Sequence, residues 1–219
     1  MLPISKTESG SNTDLESSET GNFYVFEALD GVGKTSTAEE FAERIGAEYW
    51  NTHDEAFEEF KPRVKNEDAS VGTNMLFYLG SNSLQSDKIK EKLEEGTDIV
   101  MDRYCYSTLA FHYAKSDEEP ERHLDIIEHF DFVEPDKAFY LWVNEEERLR
   151  RLDDRDVEGH KFETDTEFMS KVDEAYRDIV DKRDMAVLEA VGGVDDVVDQ
   201  VYEITALQRT LEGESYGQN

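Results

Sequence analysis

FYVFEALDGVGKTSTA, residues 23–38, decides how the rest of this chain is read. Phe23, Tyr24, Val25 and Phe26 form a short run with no polar face, the pattern of a strand buried on both sides of a parallel sheet. The run gives way to Asp30, then to Gly31 and Gly33 on either side of Val32, then to Lys34, Thr35 and Ser36. Beyond them Ala38, Phe41, Ala42 and Ile45 recur at helical spacing until Gly46 ends the helix. Strand, glycine-bearing turn and helix in that order are the setting of a P-loop. There, backbone N–H groups and a helix N-terminus enclose phosphate oxygens, the lysine neutralises the outer phosphates, and the threonine hydroxyl can bind Mg²⁺. The full pattern begins with a glycine where this chain has Ala28. Alanine fits that position if it has ordinary strand-exit dihedrals, and the completeness of DGVGKT predicts that it does. The bland alternative is a glycine-rich turn that merely contains a lysine.

Working outward, residues 98–101 form a second apolar run that delivers Asp102 and Arg103 at its end. Ligands of open parallel sheets bind outside the carboxyl ends of the strands, so these two aim at the region of the loop. Asp102 can hold Mg²⁺ or its waters, and Arg103 can fork onto a phosphate; a surface turn with a local ion pair is the alternative. A helix follows over residues 108–113, whose Phe111 and Tyr113 fit either core packing or a base-stacking wall, with core packing ahead for Phe111. Residues 138–143, after Pro135, are a third buried strand. Asn144 then opens EEERLRRLDDRD, a helix with an acidic first turn. Arg148, Arg150, Arg151 and Arg155 are four of the chain's eleven arginines, a clustering of scarce positive charge that points to an anion. Pairing with neighbouring carboxylates at i,i+4 competes with that reading.

The remaining segments complete the pattern. Residues 48–72 are a polar, acidic connection, either a loop over the ligand or a solvated helical excursion. Residues 75–79 are apolar, and 83–93 predict a helix with Ile89 and Leu93 inward, stopped by Gly96. A lid is expected at about residues 148–166. Asp165 caps a helix with Phe168, Val172, Tyr176 and Ile179 on one face. Residues 186–191 form a last strand, and 194–211 a closing helix with Val198, Val201, Ile204 and Leu211 inside. The fold class is α/β: three layers, α/β/α, around a parallel sheet of about five strands, with a small lid.

At 219 residues the chain holds one domain, residues 23–211, between a disordered polar tail at 1–22 and a frayed end at 212–219. Lys and Arg number 23 against 53 Asp and Glu, for a formal charge of −30 and a pI of about 4.3. So dense a negative shell opposes nucleic-acid polymers and anionic membranes, and it destabilises the compact state unless salt screens it; a salt-rich, halophilic cytoplasm is expected. No apolar run approaches a membrane span, no secretion signal is evident, and a single cysteine, Cys105, fits a reducing cytoplasm.

FEALDGVGKTSTA, LFYL with its polar helix, DRYCYSTLAFHYA and PDKAFYLWVNEEERLRRLDDRD together resemble the thymidylate kinases, from about residue 23 to 204. That resemblance implies a P-loop fold, transfer of the γ-phosphoryl of ATP to the 5′-phosphate of dTMP, Mg²⁺ at the donor phosphates, and a homodimer. It implies ATP binding by Asp30, Gly31, Val32, Gly33, Lys34, Thr35 and Ser36, with Thr35 and Asp102 at the metal. It places Lys34 and Arg103 in catalysis. Asp30, Arg103, Tyr104 and Ser107 would hold the acceptor, with Asp30 at the sugar 3′-hydroxyl. Some members carry an arginine after the loop aspartate. This chain has Gly31 there, which is similar to the branch that takes its catalytic arginine from the lid, here Arg151 or Arg155.

The acceptor side departs from the family. An arginine-bearing segment after the second strand is replaced by YWNTHDEAFEEF, with Arg63 only later, and the Asn-Arg or Asp-Arg pair after LF is replaced by GSNSLQS. Asn82 and His112 become the acceptor candidates at these places. Two other functions stay open: a kinase of this fold with another acceptor, a nucleoside needing Glu27 or Asp30 as base, and a nucleotide-binding protein without turnover.

Overall fold

The run read as a buried strand is β1, Phe23–Ala28, and all six of its residues are buried. The computed structural model describes residues 20–51, 57, 59–66, 69–116, 126–154 and 165–216. Four further strands are β2 (Glu48–Asn51), β3 (Ile99–Asp102), β4 (Lys137–Trp142) and β5 (Ala186–Glu189). They form one parallel sheet in the order β2-β3-β1-β4-β5. The helices are α1 (Lys34–Ile45), α2 (Lys61–Asn66), α3 (Val71–Glu94), α4 (Cys105–Lys115), α5 (Glu145–Asp153), α6 (Thr166–Arg183) and α7 (Val194–Tyr216).

The chain leaves β1 toward one edge of the sheet and later crosses back over it to reach β4. Right-handed crossovers place connections of opposite direction on opposite faces. Accordingly α1 packs with α7 on one side, and α3, α4 and α6 pack in succession on the other. The reversal at β1 opens a crevice at the carboxyl ends of β1 and β3. Apolar rings hold both faces to the sheet. Phe26 stacks on Phe139 at 5.1 Å and meets Phe41 of α1 at 5.7 Å, while Phe23 meets Tyr104 edge-on at 5.4 Å on the other face. Each such buried ring contributes about 1.5–3 kcal/mol.

Several boundaries differ from expectation for identifiable reasons. β2 lies within the stretch read as a polar connection: EYWN is a half-exposed edge strand with one neighbour, too short and mixed to show a period. The helix expected over residues 83–93 starts twelve residues earlier, at Val71, capped by Ser70, whose hydroxyl accepts from the Thr73 N–H over 3.1 Å. Gly80 lies inside it and does not break it. The closing helix runs to Tyr216, past Leu211. Of the expected N-terminal tail, residues 1–19 lie outside the described residues, whereas Asn22 is fastened to Asp98 through its N–H at 2.6 Å and its side-chain amide at 2.7 Å.

Candidate active site

The loop between β1 and α1 begins at Ala28, which pairs with Leu141 as an ordinary strand residue and has no positive φ. Alanine therefore fits where the pattern has glycine. Gly31 and Gly33 have φ of 93° and 103°, a conformation that L side chains rarely adopt. Gly33 is also the N-cap of α1, so the first turn directs its N–H groups into the crevice, with Lys34 buried and Thr35 and Ser36 exposed.

Parallel register sets Phe26 beside Asp102 and so carries the end of β3 to the loop. The Asp102 carboxylate accepts an ion pair from Lys34 on one oxygen and the Thr35 hydroxyl, at 2.6 Å, on the other. The Tyr49 hydroxyl of β2 lies 3.3 Å from that second oxygen. Arg103 follows with φ of 70°, a left-handed backbone in a non-glycine residue, held by its N–H to the Phe26 carbonyl at 3.0 Å. This turn sends the side chain across the crevice: Nη2 donates to Asp30 Oδ1 at 2.6 Å and Nη1 to the Tyr176 hydroxyl at 3.2 Å. The guanidinium lies 5.6 Å over the ring of Phe111, which is half-buried at the edge of the core. Burial alone would lower the Arg103 pKa, but Tyr176, Asp30 and Glu27 outweigh it and hold the charge.

Behind this arginine sits Glu27, fully buried on β1. One of its oxygens accepts the N–H groups of Tyr104 at 2.9 Å and Ser107 at 3.2 Å, capping α4 from a distant strand where the N-cap Tyr104 offers no side-chain cap. The other accepts the Tyr176 hydroxyl at 2.9 Å. Burial pushes the Glu27 carboxyl above its ordinary value, against the lowering pull of Arg103 and these donors. Glu27, Tyr176, Arg103 and Asp30 are thus one chain of contacts spanning β1, α6, the end of β3 and the loop.

The arginine cluster divides by position on α5. Asn144 caps that helix, accepting the Glu147 N–H at 2.9 Å. Arg150 points to solvent and pairs with Glu147 at i,i+3 and Asp154 at i,i+4, the solvated-face alternative. Arg148 and Arg151 turn inward to the backbone carbonyls of Asp30 and Val32, at 3.2 and 2.7 Å. With donors from both Arg150 and Arg151, the Glu147 carboxyl is held down at about 2. Of the expected lid, about residues 148–166, the first part lies on α5 and residue 166 opens α6, while residues 155–164, Arg155 among them, lie outside the described residues, as does the side chain of Arg63.

On the acceptor side, Asn82 and Gln85 of α3 and His112 of α4 are buried. Gln85 donates to the Asn51 carbonyl at the end of β2, over 2.8 Å. Neither atom of the Asn82 amide has a hydrogen-bond partner among the described residues. His112 presents Nδ1 to the Thr108 carbonyl and its ring to Tyr78, 6.1 Å away. Tyr104 and Ser107 are buried as well: Tyr104 is 1% exposed, and the Ser107 hydroxyl donates to the Tyr104 carbonyl at 2.9 Å. Tyr49 and Tyr176 carry contacts that no local motif marks, and the clustering that singled out Arg148 gave no sign of its loop partner. Only a polar tip on an otherwise apolar face hints at Tyr176.

Comparison with known proteins bears on this geometry. The family model described as thymidylate kinase matches residues 26–201. The thymidylate kinase of Leptospira borgpetersenii serovar Hardjo-bovis is 30% identical over 192 residues, covering 83% of this chain and 92% of its own length. The probable thymidylate kinase of Methanococcus aeolicus is 29% identical over 171 residues, covering 74% and 80%. Among solved structures, a thymidylate kinase from Candida albicans superposes with a TM-score of 0.73 at 21% identity, over 87% of this chain and 93% of that one.

Proposed function

The chain belongs to the thymidylate kinase family, and from that premise we propose how the residues at the carboxyl end of its sheet divide the reaction. The reaction is ATP-dependent phosphorylation of dTMP to dTDP. The attacking group is already an anion, so positioning and charge neutralisation carry the rate and no strong base is required.

Lys34 and the N–H groups of Gly31, Val32 and Gly33 hold the donor phosphates, with Ser36 at the helix start. Arg103 meets the phosphates between donor and acceptor, its strained backbone kept in place by Asp30, Tyr176 and, through Tyr176, Glu27. Asp30 is the proposed partner of the acceptor sugar. Arg155 is proposed to bring charge to the transferring phosphoryl, because the Arg151 guanidinium is engaged by Glu147, Val32 and Ala190.

Thr35 and Asp102 supply hard oxygen donors 2.6 Å apart, which suits Mg²⁺. Among the described residues no group of three His, Cys, Asp or Glu side chains could hold a metal. An ion held by Thr35 and Asp102 would take its other ligands from phosphates and water. Bound there, Mg²⁺ would neutralise charge on the donor phosphates.

The unpartnered Asn82 amide is the proposed reader of the acceptor base, since a donor beside an acceptor matches the N3–H and O4 edge of thymine. Tyr104, Ser107 and His112 serve this side by holding α4. No helix among the described residues is long and apolar enough to cross a membrane; a cytoplasmic setting is proposed because the reaction draws on ATP. A homodimer is proposed from the family alone; Leu76, 69% exposed on α3, is by itself an ordinary surface residue.

The observation that carries the proposal is Asp102 taking Lys34 and Thr35 at once. ADP release in molar KCl with ATP and Mg²⁺ tests it across dTMP, dUMP, dCMP, dAMP, dGMP, UMP and thymidine. dTMP is expected to dominate, with Lys34→Ala nearly inactive. Turnover with none of these acceptors, or an active Lys34→Ala enzyme, overturns it.

A further inference from the structure

Two peptide groups of the phosphate loop are held from behind. Nη1 of Arg148 donates to the Asp30 carbonyl and Nη1 of Arg151 to the Val32 carbonyl. In a trans peptide the C=O and the following N–H point in opposite directions. A carbonyl drawn toward α5 therefore turns the next N–H, that of Gly31 or of Gly33, away from α5 and into the concave side of the loop. Glycine leaves both signs of φ open, so the loop's own sequence does not settle which way these peptides face.

Each arginine is itself held in place. Arg148 is 1% exposed, and its Nε and Nη2 reach the two oxygens of Glu145 at 2.7 and 2.8 Å, leaving Nη1 directed at the loop. Arg151 is fixed by Glu147 at 2.7 Å and by the Ala190 carbonyl at 2.9 Å, which joins the loop to the end of β5. Backbone contact is equally close: a Cβ on Gly31 would lie 2.8 Å from Leu152 Cγ and 3.1 Å from the Arg148 carbonyl. A guanidinium taken out of water is expensive unless its N–H groups find partners, and here a loop carbonyl supplies one to each arginine.

We propose that Arg148 and Arg151 are positioning residues that orient the Asp30–Gly31 and Val32–Gly33 peptides before nucleotide arrives, so that ATP meets N–H groups already facing its phosphates. This rests on the loop being the ATP site.

The test uses Arg148→Met, Arg148→Lys, Arg151→Met and Arg151→Lys in the full chain, with Lys34→Ala as the reference. KM for ATP and for dTMP, kcat, binding of inorganic tripolyphosphate and thermal unfolding are read together. Arg148→Met should raise KM for ATP and weaken tripolyphosphate about tenfold, the worth of one charge-assisted hydrogen bond, while KM for dTMP stays within about twofold. Arg148→Lys should restore most of the loss, and Arg151→Met should act in the same direction. Should Arg148→Met not fold, Glu145→Gln loosens the same guanidinium from a half-exposed position, and a smaller selective rise in KM for ATP is expected. Lower unfolding temperature with unchanged ATP and tripolyphosphate binding overturns the proposal, as does an equal rise in both KM values. Wild-type behaviour of Lys34→Ala instead refutes the loop as ATP site; an inactive Lys34→Ala beside a normal Arg148→Met refutes positioning alone.

Discussion

The Thr35 hydroxyl donates to Oδ2 of Asp102 across 2.6 Å, although 67 positions separate the two residues. The same carboxylate takes Lys34 on its other oxygen, so a single side chain at the end of β3 gathers the cation and the hydroxyl that follow the last loop glycine.

Asp102→Asn keeps the shape of this junction and removes its charge. We expect kcat to fall by about a hundredfold or more and the Mg²⁺ concentration for half-maximal rate to rise. Initial rates across a Mg²⁺ titration read both. An unaltered Mg²⁺ dependence would take Asp102 out of the metal site.

Asn82 separates stability from acceptor recognition. An unpaired buried amide costs about 1–3 kcal/mol, so Asn82→Leu, nearly equal in volume, should raise the unfolding free energy by that order. KM for dTMP should rise about tenfold with KM for ATP unchanged. Denaturant unfolding and two-substrate kinetics decide it; a destabilised variant with normal KM for dTMP would make the amide a structural group.

Glu27 gives a pH signature. Its folded pKa is raised above 4.5, chiefly by burial. Its contribution to stability is therefore complete below its unfolded pKa and lost as pH rises through the folded one. Relative to Glu27→Gln, the wild-type chain should lose stability as pH climbs from 4.5. Subtracting the two curves cancels the other carboxylates. A difference that grows with pH would mean that the site prefers the ionised carboxylate.

With a formal charge of −30, the compact state repels itself. Screening shortens from about 10 Å at 0.1 M salt to about 3 Å at 1 M, so the unfolding midpoint should rise markedly between dilute buffer and molar KCl. Equal midpoints would refute adaptation to a salt-rich interior.

Some elements were legible because their physics is local. β1 needed only four adjacent apolar residues, α5 its Asn144 cap and acidic first turn, and the loop its two glycines before Lys34 and Thr35. β2 was not legible: its four residues become a strand only by pairing with β3, and EYWN has no period of its own. α3 was seen only in its second half, because tertiary packing carries a helix through Gly80 that local pattern interrupts there.

The same division holds in the site. The sequence by itself determined which groups gather at the carboxyl ends of β1 and β3, since Gly31, Gly33, Lys34, Thr35, Asp102 and Arg103 each follow a strand or open a helix within a few residues. Only the tertiary structure decided what those groups touch. Arg148 meets Asp30 across 118 positions and Tyr176 meets Glu27 across 149, contacts set by sheet register and by the faces on which α5 and α6 pack. Side-chain spacing reports the face of an element; which partner stands opposite depends on how separate elements come together, and no local pattern carries that.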